Sequence, residues 1–194
     1  MDVKTTIRNG DADGLRQLLA EDSSRANALV RWGINDCVLT HPLHYVSDVL
    51  FEGKLERGKE LALVEVLIQA GADLDFQRNK NGKSDTPLIG AASLGAEEVG
   101  LSLLDAGARP EVRGMFGETA LHWAALLGED RLAGRLIEGG RLEPQGREIQ
   151  LAALGMGDPR LVRATCWEPR PTSPTFSRPG LRVRLWYRLL YSLK

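Results

Sequence analysis

A repeated interval of 33 residues constrains the fold of this chain more than any other feature. Two stretches, TPLIGAASLGAEEVGLSLLDAGA and TALHWAALLGEDRLAGRLIEGG, resemble each other along their whole length. The 33-residue interval separates four pairs of matching residues: Thr86 and Thr119, Gly95 and Gly128, Leu103 and Leu136, and Gly107 and Gly140. Self-similarity at a fixed period of this size is typical of architectures that stack repeated units. The chain is therefore expected to consist of repeated units.

The residues within one unit indicate two helices joined by a turn. Leu121, Ala124 and Ala125 lie on one face of a first helix, and the small alanines let a neighbouring helix approach closely. Gly128 is expected to end that helix, because glycine adopts the left-handed conformation at little steric cost. Leu132 and Leu136 have the spacing of a second helix. Since one helix pair cannot bury its apolar face alone, the units must stack, which gives an extended concave surface.

The sequence of each unit resembles the ankyrin repeat. The residues that match its opening T-P-L-H motif are His44, Thr86, Pro87, Thr119 and His122. The resemblance implies an all-α ankyrin-repeat solenoid of about four units, with an irregular C-terminal tail. It also implies that His44 and His122 are structural, since the motif histidine forms hydrogen bonds to the backbone and links neighbouring units. The function that it implies is a non-enzymatic protein–protein interaction module.

We expect residues 1–140 to form the ankyrin-repeat domain. Its repeats are expected near residues 5–30, 41–76, 84–112 and 114–140. Residues 21–40 are expected to form a longer connection. Residues 51–59 are expected to form a charged insertion, and such insertions often lie on the binding face of a repeat protein. Residues 141–158 are expected to give a partial C-terminal cap, and residues 159–194 an irregular basic tail that could be disordered.

Charge is distributed unevenly between the tail and the rest of the chain. Residues 160–194 contain eight basic residues and one acidic residue, whereas the whole chain has a net charge of −1. The preceding residues therefore carry −8, which favours association with a basic partner surface, mainly through the association rate. An alternative function is association with a membrane surface or a nucleic acid through the tail, since residues 181–193 form a basic amphipathic stretch.

Composition favours a single intracellular domain. A chain of 194 residues with 43% apolar content can bury one sizeable core. Its two cysteines, Cys37 and Cys166, are far apart and do not form a disulfide framework. The N-terminal residues contain no apolar run of the secretory kind, and no stretch has the length of a membrane helix. We therefore expect a cytoplasmic protein.

One cluster has the residue types of a zinc site. Cys37, His41, His44 and Asp48 are all side chains that can bind this metal. We favour a structural role, because His44 and His122 occupy equivalent positions in the repeat. A nucleophilic cysteine would also need an oriented base and an anion-stabilising pocket, and the segment supplies neither. No phosphate-binding or dinucleotide motif is present, so neither a metal, a cofactor nor a small-molecule substrate is expected.

The expected partner-binding residues occupy positions that ankyrin repeats leave variable. We call them the partner patch; they are Leu94, Met115, Phe116, Glu118, Leu126 and Leu127. Five of the six are apolar at positions where solvent would normally meet the chain. Exposed apolar surface marks interaction sites, and aromatic residues and methionine are enriched in interface cores. The alternative is that the C-terminal segment folds back over these residues. The partner itself is an unknown protein.

Overall fold

Four helix pairs stacked in order along the chain form the described part of the structure. A computed structural model describes residues 2–78, 84–115 and 117–138, apart from the side chain at position 34. Eight α-helices occur in the described residues: α1 (Val3–Asn9), α2 (Ala12–Glu21), α3 (Pro42–Phe51), α4 (Glu60–Gln69), α5 (Pro87–Leu94), α6 (Glu97–Asp105), α7 (Ala120–Leu127) and α8 (Asp130–Glu138). The predicted helical solenoid is thus confirmed.

The helices pack in two rows. The first helices of the pairs contact one another in the order α1, α3, α5 and α7, and the second helices follow in the order α2, α4, α6 and α8. The core lies between the rows as one apolar cluster that extends from Val3 to Leu136. Leucines at equivalent places of successive second helices, such as Leu67, Leu103 and Leu136, are almost completely buried. Each pair therefore depends on its neighbours for burial, as expected for a repeat protein.

The first helix of the fourth pair ends at Gly128 as predicted, and that of the third pair ends at the equivalent Gly95. Thr86 precedes α5, and its Oγ1 accepts a hydrogen bond from the Ile89 N–H at 3.3 Å. Pro87 is the first residue of α5, where a missing N–H is tolerated. Gly95 and Gly128 follow α5 and α7 with φ angles of 73° and 75°. These glycines adopt the left-handed conformation that ends a helix.

The connection between the first and second pairs contains a hairpin that the sequence analysis did not anticipate. Strands β1 (Val30–Trp32) and β2 (Val38–Thr40) are antiparallel, with Val30 opposite Thr40. Short 3-10 turns precede the hairpin and lie within it, at Ser23–Asn27 and Ile34–Asp36. Each strand has only three residues, too few for an alternating pattern to stand out in the sequence.

The insertion after α3 packs back against the first repeat. The N–H groups of Lys54 and Leu55 donate to the Val49 carbonyl oxygen at 2.9 and 3.2 Å. The Leu55 side chain is buried and reaches Gly10 in the turn between α1 and α2. Because α3 begins at the hairpin and ends at this insertion, the two features lie at opposite ends of the helix.

Several expectations concern residues outside the described ranges. They include the partial cap at residues 141–158, the basic tail at residues 159–194 and the tail's association with a membrane surface or nucleic acid. Among the described residues, no helix combines the length and apolar character that crossing a membrane requires.

Candidate functional site

The motif histidine of the second pair joins that pair to the third. His44 Nε2 donates a hydrogen bond to the main-chain carbonyl oxygen of Asp85 at 3.1 Å, so the ring carries its proton on Nε2. Burial lowers the pKa of His44 to about 4, and the neighbouring His41 acts in the same direction. The ring is therefore neutral near pH 7. The segment that leads into α5 is held by this contact.

His122 acts at the start of its own helix. Its Nδ1 accepts hydrogen bonds from the Thr119 N–H at 3.0 Å and from the Thr119 hydroxyl at 2.9 Å. Thr119 and His122 form a capping box at the start of α7. This geometry fixes the direction in which the chain enters the fourth pair.

His41 stands where the motif has threonine, and the sequence analysis gave it no structural role. Its Nδ1 accepts from the Leu43 N–H at 3.3 Å, and its Nε2 lies 3.0 Å from Asn27 Oδ1. That same oxygen accepts a hydrogen bond from the Asp73 N–H at 2.7 Å. The ring also stacks on Phe76, with 4.7 Å between the ring centres. His41 therefore links the segment before the hairpin to the segment after α4.

The cluster that resembled a zinc site is not assembled as one. Cys37 is a free, exposed cysteine, and the nitrogens of His41 that would bind a metal face Leu43 and Asn27. No group of three or more histidine, cysteine, aspartate or glutamate side chains is placed to hold a metal ion within residues 2–78, 84–115 and 117–138.

Asp48 lies on α3 and is uncharged near neutral pH. Burial raises its pKa to about 8, and the negative charge of Glu52 acts in the same direction. A hydrogen bond with Thr40 opposes this shift. A carboxyl group that keeps its proton at neutral pH is a poor metal ligand, because metal ligands must be deprotonated.

The described members of the partner patch fall into two groups. Leu94, Leu126 and Leu127 are half-buried at the ends of the adjacent helices α5 and α7. Met115 and Glu118 lie in the segment that precedes α7, so the length of an eight-residue helix, roughly 10 Å, separates the two groups. Phe116 is outside the described residues. The patch is therefore an elongated strip along α7.

Met115 is the most exposed apolar side chain of this strip. Its side chain is 46% exposed, and Leu29 at 39% is the other large exposed hydrophobic residue among those described. The Met115 N–H donates to Asp85 Oδ1 at 2.9 Å. Asp85, a residue of the third repeat, thus holds the backbone of Met115, while the Met115 side chain is exposed to solvent.

Asp85 and Trp123 belong to the same site, although the sequence analysis did not select them. The Asp85 and Glu118 carboxyl groups both approach Gly114, and Trp123 Nε1 donates to Glu118 Oε1 at 3.4 Å. Burial and the Glu118 charge together raise the pKa of Asp85 to about 6. The sequence signal that could have identified Asp85 was its position in the repeat. Asp85 and Glu118 each directly precede the threonine that opens a repeat.

Helix pairs packed in two rows, with capped first helices, define a helical-repeat protein of the solenoid class. Residues 54–146 match the family model described as ankyrin repeats (3 copies), so this part of the chain consists of ankyrin repeats. The match begins after α3, yet α1, α2 and α3 pack in the same two rows. A search of curated proteins found no match. Ankyrin repeats are generally protein–protein interaction modules and typically non-enzymatic.

Proposed function

We propose that this protein binds a protein partner on its concave ankyrin surface and that the partner patch supplies the contact. The observation that carries the proposal is the exposed side chain of Met115 before the start of α7, together with the half-buried Leu126 and Leu127 at the end of that helix. When a partner covers solvent-exposed apolar side chains, the free energy of the complex is lowered. Because the Asp85 hydrogen bond already holds the Met115 backbone, little further ordering is needed on binding.

The chemistry of the strip favours a partner with an apolar anchor next to a basic group. Glu118 and Asp85 place carboxyl oxygens beside Met115, so a lysine or arginine of the partner would be attracted to that end. The apolar anchor would lie along α7 towards Leu127. We propose no catalytic role and no small-molecule substrate, and we place the protein in the cytoplasm, where a free cysteine such as Cys37 remains reduced.

The test begins with affinity capture of partners from the native cell and identification by mass spectrometry. The dissociation constant of the purified complex is then measured by calorimetry for the wild type and for Met115→Ala combined with Phe116→Ala. Anchor residues of this kind contribute about 2 kcal/mol or more, so we expect affinity to fall by a factor of about 30 or more. Leu29→Ala is the matched control, because it also truncates an exposed apolar side chain but far from α7. It should leave affinity unchanged.

Two other outcomes would contradict the proposal. If the double variant unfolds and binding per folded molecule does not change, Met115 and Phe116 belong to the core. If the chain instead binds anionic vesicles or nucleic acid in a salt-sensitive way that deletion of residues 159–194 abolishes, the tail carries the function. An increase in partner affinity on the same deletion would show that the C-terminal segment covers the patch.

A further inference from the structure

The hairpin before α3 leaves one edge of a strand open. Within the described residues β1 pairs with β2 and with no other strand. A groove of about 600 Å³ lies on the opposite side of β1. It is lined by Val30 and Arg31 of β1 and by Val3 and Lys4 of α1, and no residue of β2 lines it. An open strand edge carries main-chain N–H and C=O groups that can pair with a further strand, so the groove lies where such a strand would be added.

Side chains along this edge alternate between two faces. Leu29 and Arg31 are exposed, whereas Val30 between them is buried. The main chain is already extended at Ala28, with a φ of −75° and a ψ of 124°, so the strand conformation begins before β1 itself. Since alternate side chains of a strand share a face, Leu29 and Arg31 present an apolar group and a cation on the same, solvent-facing side.

Arg31 is the cation of this edge that is available to a partner. The Lys4 ammonium lies 2.6 Å from Asp36 Oδ1, and Arg25 Nε lies 3.4 Å from Asp22 Oδ2. Arg31, by contrast, takes part in none of the ion pairs formed among the described residues. An opposite charge directly across from Arg31 on an added strand would stabilise the pairing, and a like charge would oppose it. A second copy of this chain, paired in register at Arg31, would place two guanidinium groups opposite each other and therefore fits the edge poorly.

We propose that the open edge of β1 binds an extended segment of a protein partner, which adds as a strand and carries an acidic residue and an apolar residue two positions apart. The acidic side chain lies opposite Arg31, and the apolar side chain covers Leu29. The residue between them faces Val3 and Val30, so an apolar side chain is favoured there as well. In this mode of recognition main-chain hydrogen bonds supply affinity, and alternate side chains supply specificity.

This surface is separate from the partner patch. The open edge lies between the first and second helix pairs, whereas the described residues of the partner patch belong to the third and fourth. The edge therefore adds a second binding surface and does not rest on the proposed function.

The probe is a phage library of random peptides of roughly nine residues, long enough to span the edge, selected on the immobilised full chain. Enriched peptides should share an acidic residue two positions from an apolar residue. The same selection on Arg31→Glu should enrich a basic residue at the acidic position and keep the apolar one, because the charge across the strands is reversed. Arg16→Glu is the matched control, since Arg16 is an exposed arginine on α2, and it should leave the acidic preference unchanged.

A synthetic copy of the most enriched peptide gives the quantitative test. Its dissociation constant should rise about tenfold for Arg31→Glu and about threefold or more for Leu29→Ala, which loses part of the apolar contact. Arg16→Glu and Met115→Ala should leave it unchanged. Hydrogen exchange shows whether a strand has been added, because amide exchange at residues 29–32 should slow when the peptide binds.

Several outcomes would overturn the proposal. They are the enrichment of no peptide, a consensus that Arg31→Glu does not change, and unchanged exchange at residues 29–32. Peptide binding that Met115→Ala abolishes and Arg31→Glu leaves intact would place the peptides on the partner patch. Dimers in sedimentation that slow exchange at residues 29–32 would make a second copy the occupant. If Arg31→Glu does not fold, Arg31→Ala decides, because it should lose the acidic preference. Each result holds whether or not the Met115 and Phe116 substitutions affect a captured partner.

Discussion

His44 lies directly over the backbone of α5 at Gly90. A Cβ atom built on Gly90 would be 2.6 Å from His44 Nδ1, which is closer than real Cβ contacts come. The same ring donates from Nε2 to the Asp85 carbonyl oxygen at 3.1 Å. Gly90 is inside a regular helix, so its missing side chain matters for the space that it leaves to the imidazole. A histidine in one repeat thus requires a glycine in the next.

Gly90→Ala should therefore destabilise the protein, against the usual effect of alanine in a helix. Alanine normally stabilises a helix interior relative to glycine by about 0.4–1 kcal/mol, whereas overpacking a filled site costs about 1–3 kcal/mol. Gly134→Ala in α8 is the matched control, because nothing lies within 4 Å of a Cβ there. Urea unfolding should show opposite signs for the two variants. Equal stabilisation by both would mean that His44 moves aside freely.

His44→Ala should lower the free energy of unfolding by roughly 1–3 kcal/mol, because it leaves the buried hydrogen-bond partner at Asp85 unpaired. His122→Ala should have a similar effect, since it removes the capping partner of Thr119. A chelator should leave the melting temperature of the wild type unchanged. A chelator-induced fall in that temperature, or stoichiometric zinc in the purified protein, would instead favour a metal at the Cys37 cluster.

The two neutral histidines should make the protein less stable on mild acidification. The pKa of His41 and that of His44 are both lowered to about 4 by burial, from 6.5 in the unfolded chain. The unfolded state therefore takes up protons below pH 6.5, and the folded state does so only near pH 4. This contribution to stability is complete above pH 6.5 and is lost as the pH falls towards 4, by at most about 3 kcal/mol per histidine.

The opposite shift of Asp85 offsets part of this loss between pH 6 and 4, because its folded pKa of about 6 lies above the value of 3.8 in the unfolded chain. Urea midpoints measured from pH 7 to pH 4.5 would show the net effect. His44→Gln should flatten the dependence on pH. An equally steep dependence in that variant would show that His44 is not the group that titrates.

Asp48→Asn should stabilise the protein at neutral pH. The pKa of Asp48 is raised to about 8, so at pH 7 the folded state holds a proton that the unfolded state, with a pKa of 3.8, has released. This penalty is absent below pH 3.8 and grows until the pH passes 8. An amide removes the proton uptake, and we expect a gain of about 1–3 kcal/mol in the free energy of unfolding. Asp105→Asn, at an exposed ion pair, should change it by at most about 0.5 kcal/mol. A destabilised Asp48→Asn would mean that the carboxylate is the native form.

Local sequence signals predicted the helix pairs. The contacts between repeats could not be predicted from the sequence. Thr86 and Gly95 mark the start and end of α5 because capping depends on a few neighbouring residues. The His41 bond to Asn27 and the approach of Asp85 to Glu118 join residues that are distant in sequence and meet only after stacking. The partner patch was selected one position at a time, so the sequence did not reveal that α7 separates Met115 from Leu127.

The start of α8 depends on a side chain from the preceding repeat. Glu97 Oε1, on α6, accepts hydrogen bonds from the N–H groups of Arg131 and Leu132 at 2.9 and 3.1 Å. These are two of the N–H groups in the first turn of a helix that have no carbonyl acceptor within the helix, so the Glu97 carboxylate acts as their acceptor. The adjacent Glu98 bonds to the exposed Arg131 guanidinium, and exposed ion pairs contribute little to stability.

Glu97→Ala should therefore cost about 1–2 kcal/mol, by analogy with the loss of a helix cap, and Glu98→Ala about 0.5 kcal/mol or less. Native-state hydrogen exchange should localise the effect, because the amides of α8 would exchange faster in Glu97→Ala while those of α4 keep their protection. Similar losses in both variants would mean that the Arg131 ion pair matters as much as the cap. Unchanged exchange in α8 would show that the Glu97 contact does not hold the fourth pair in place.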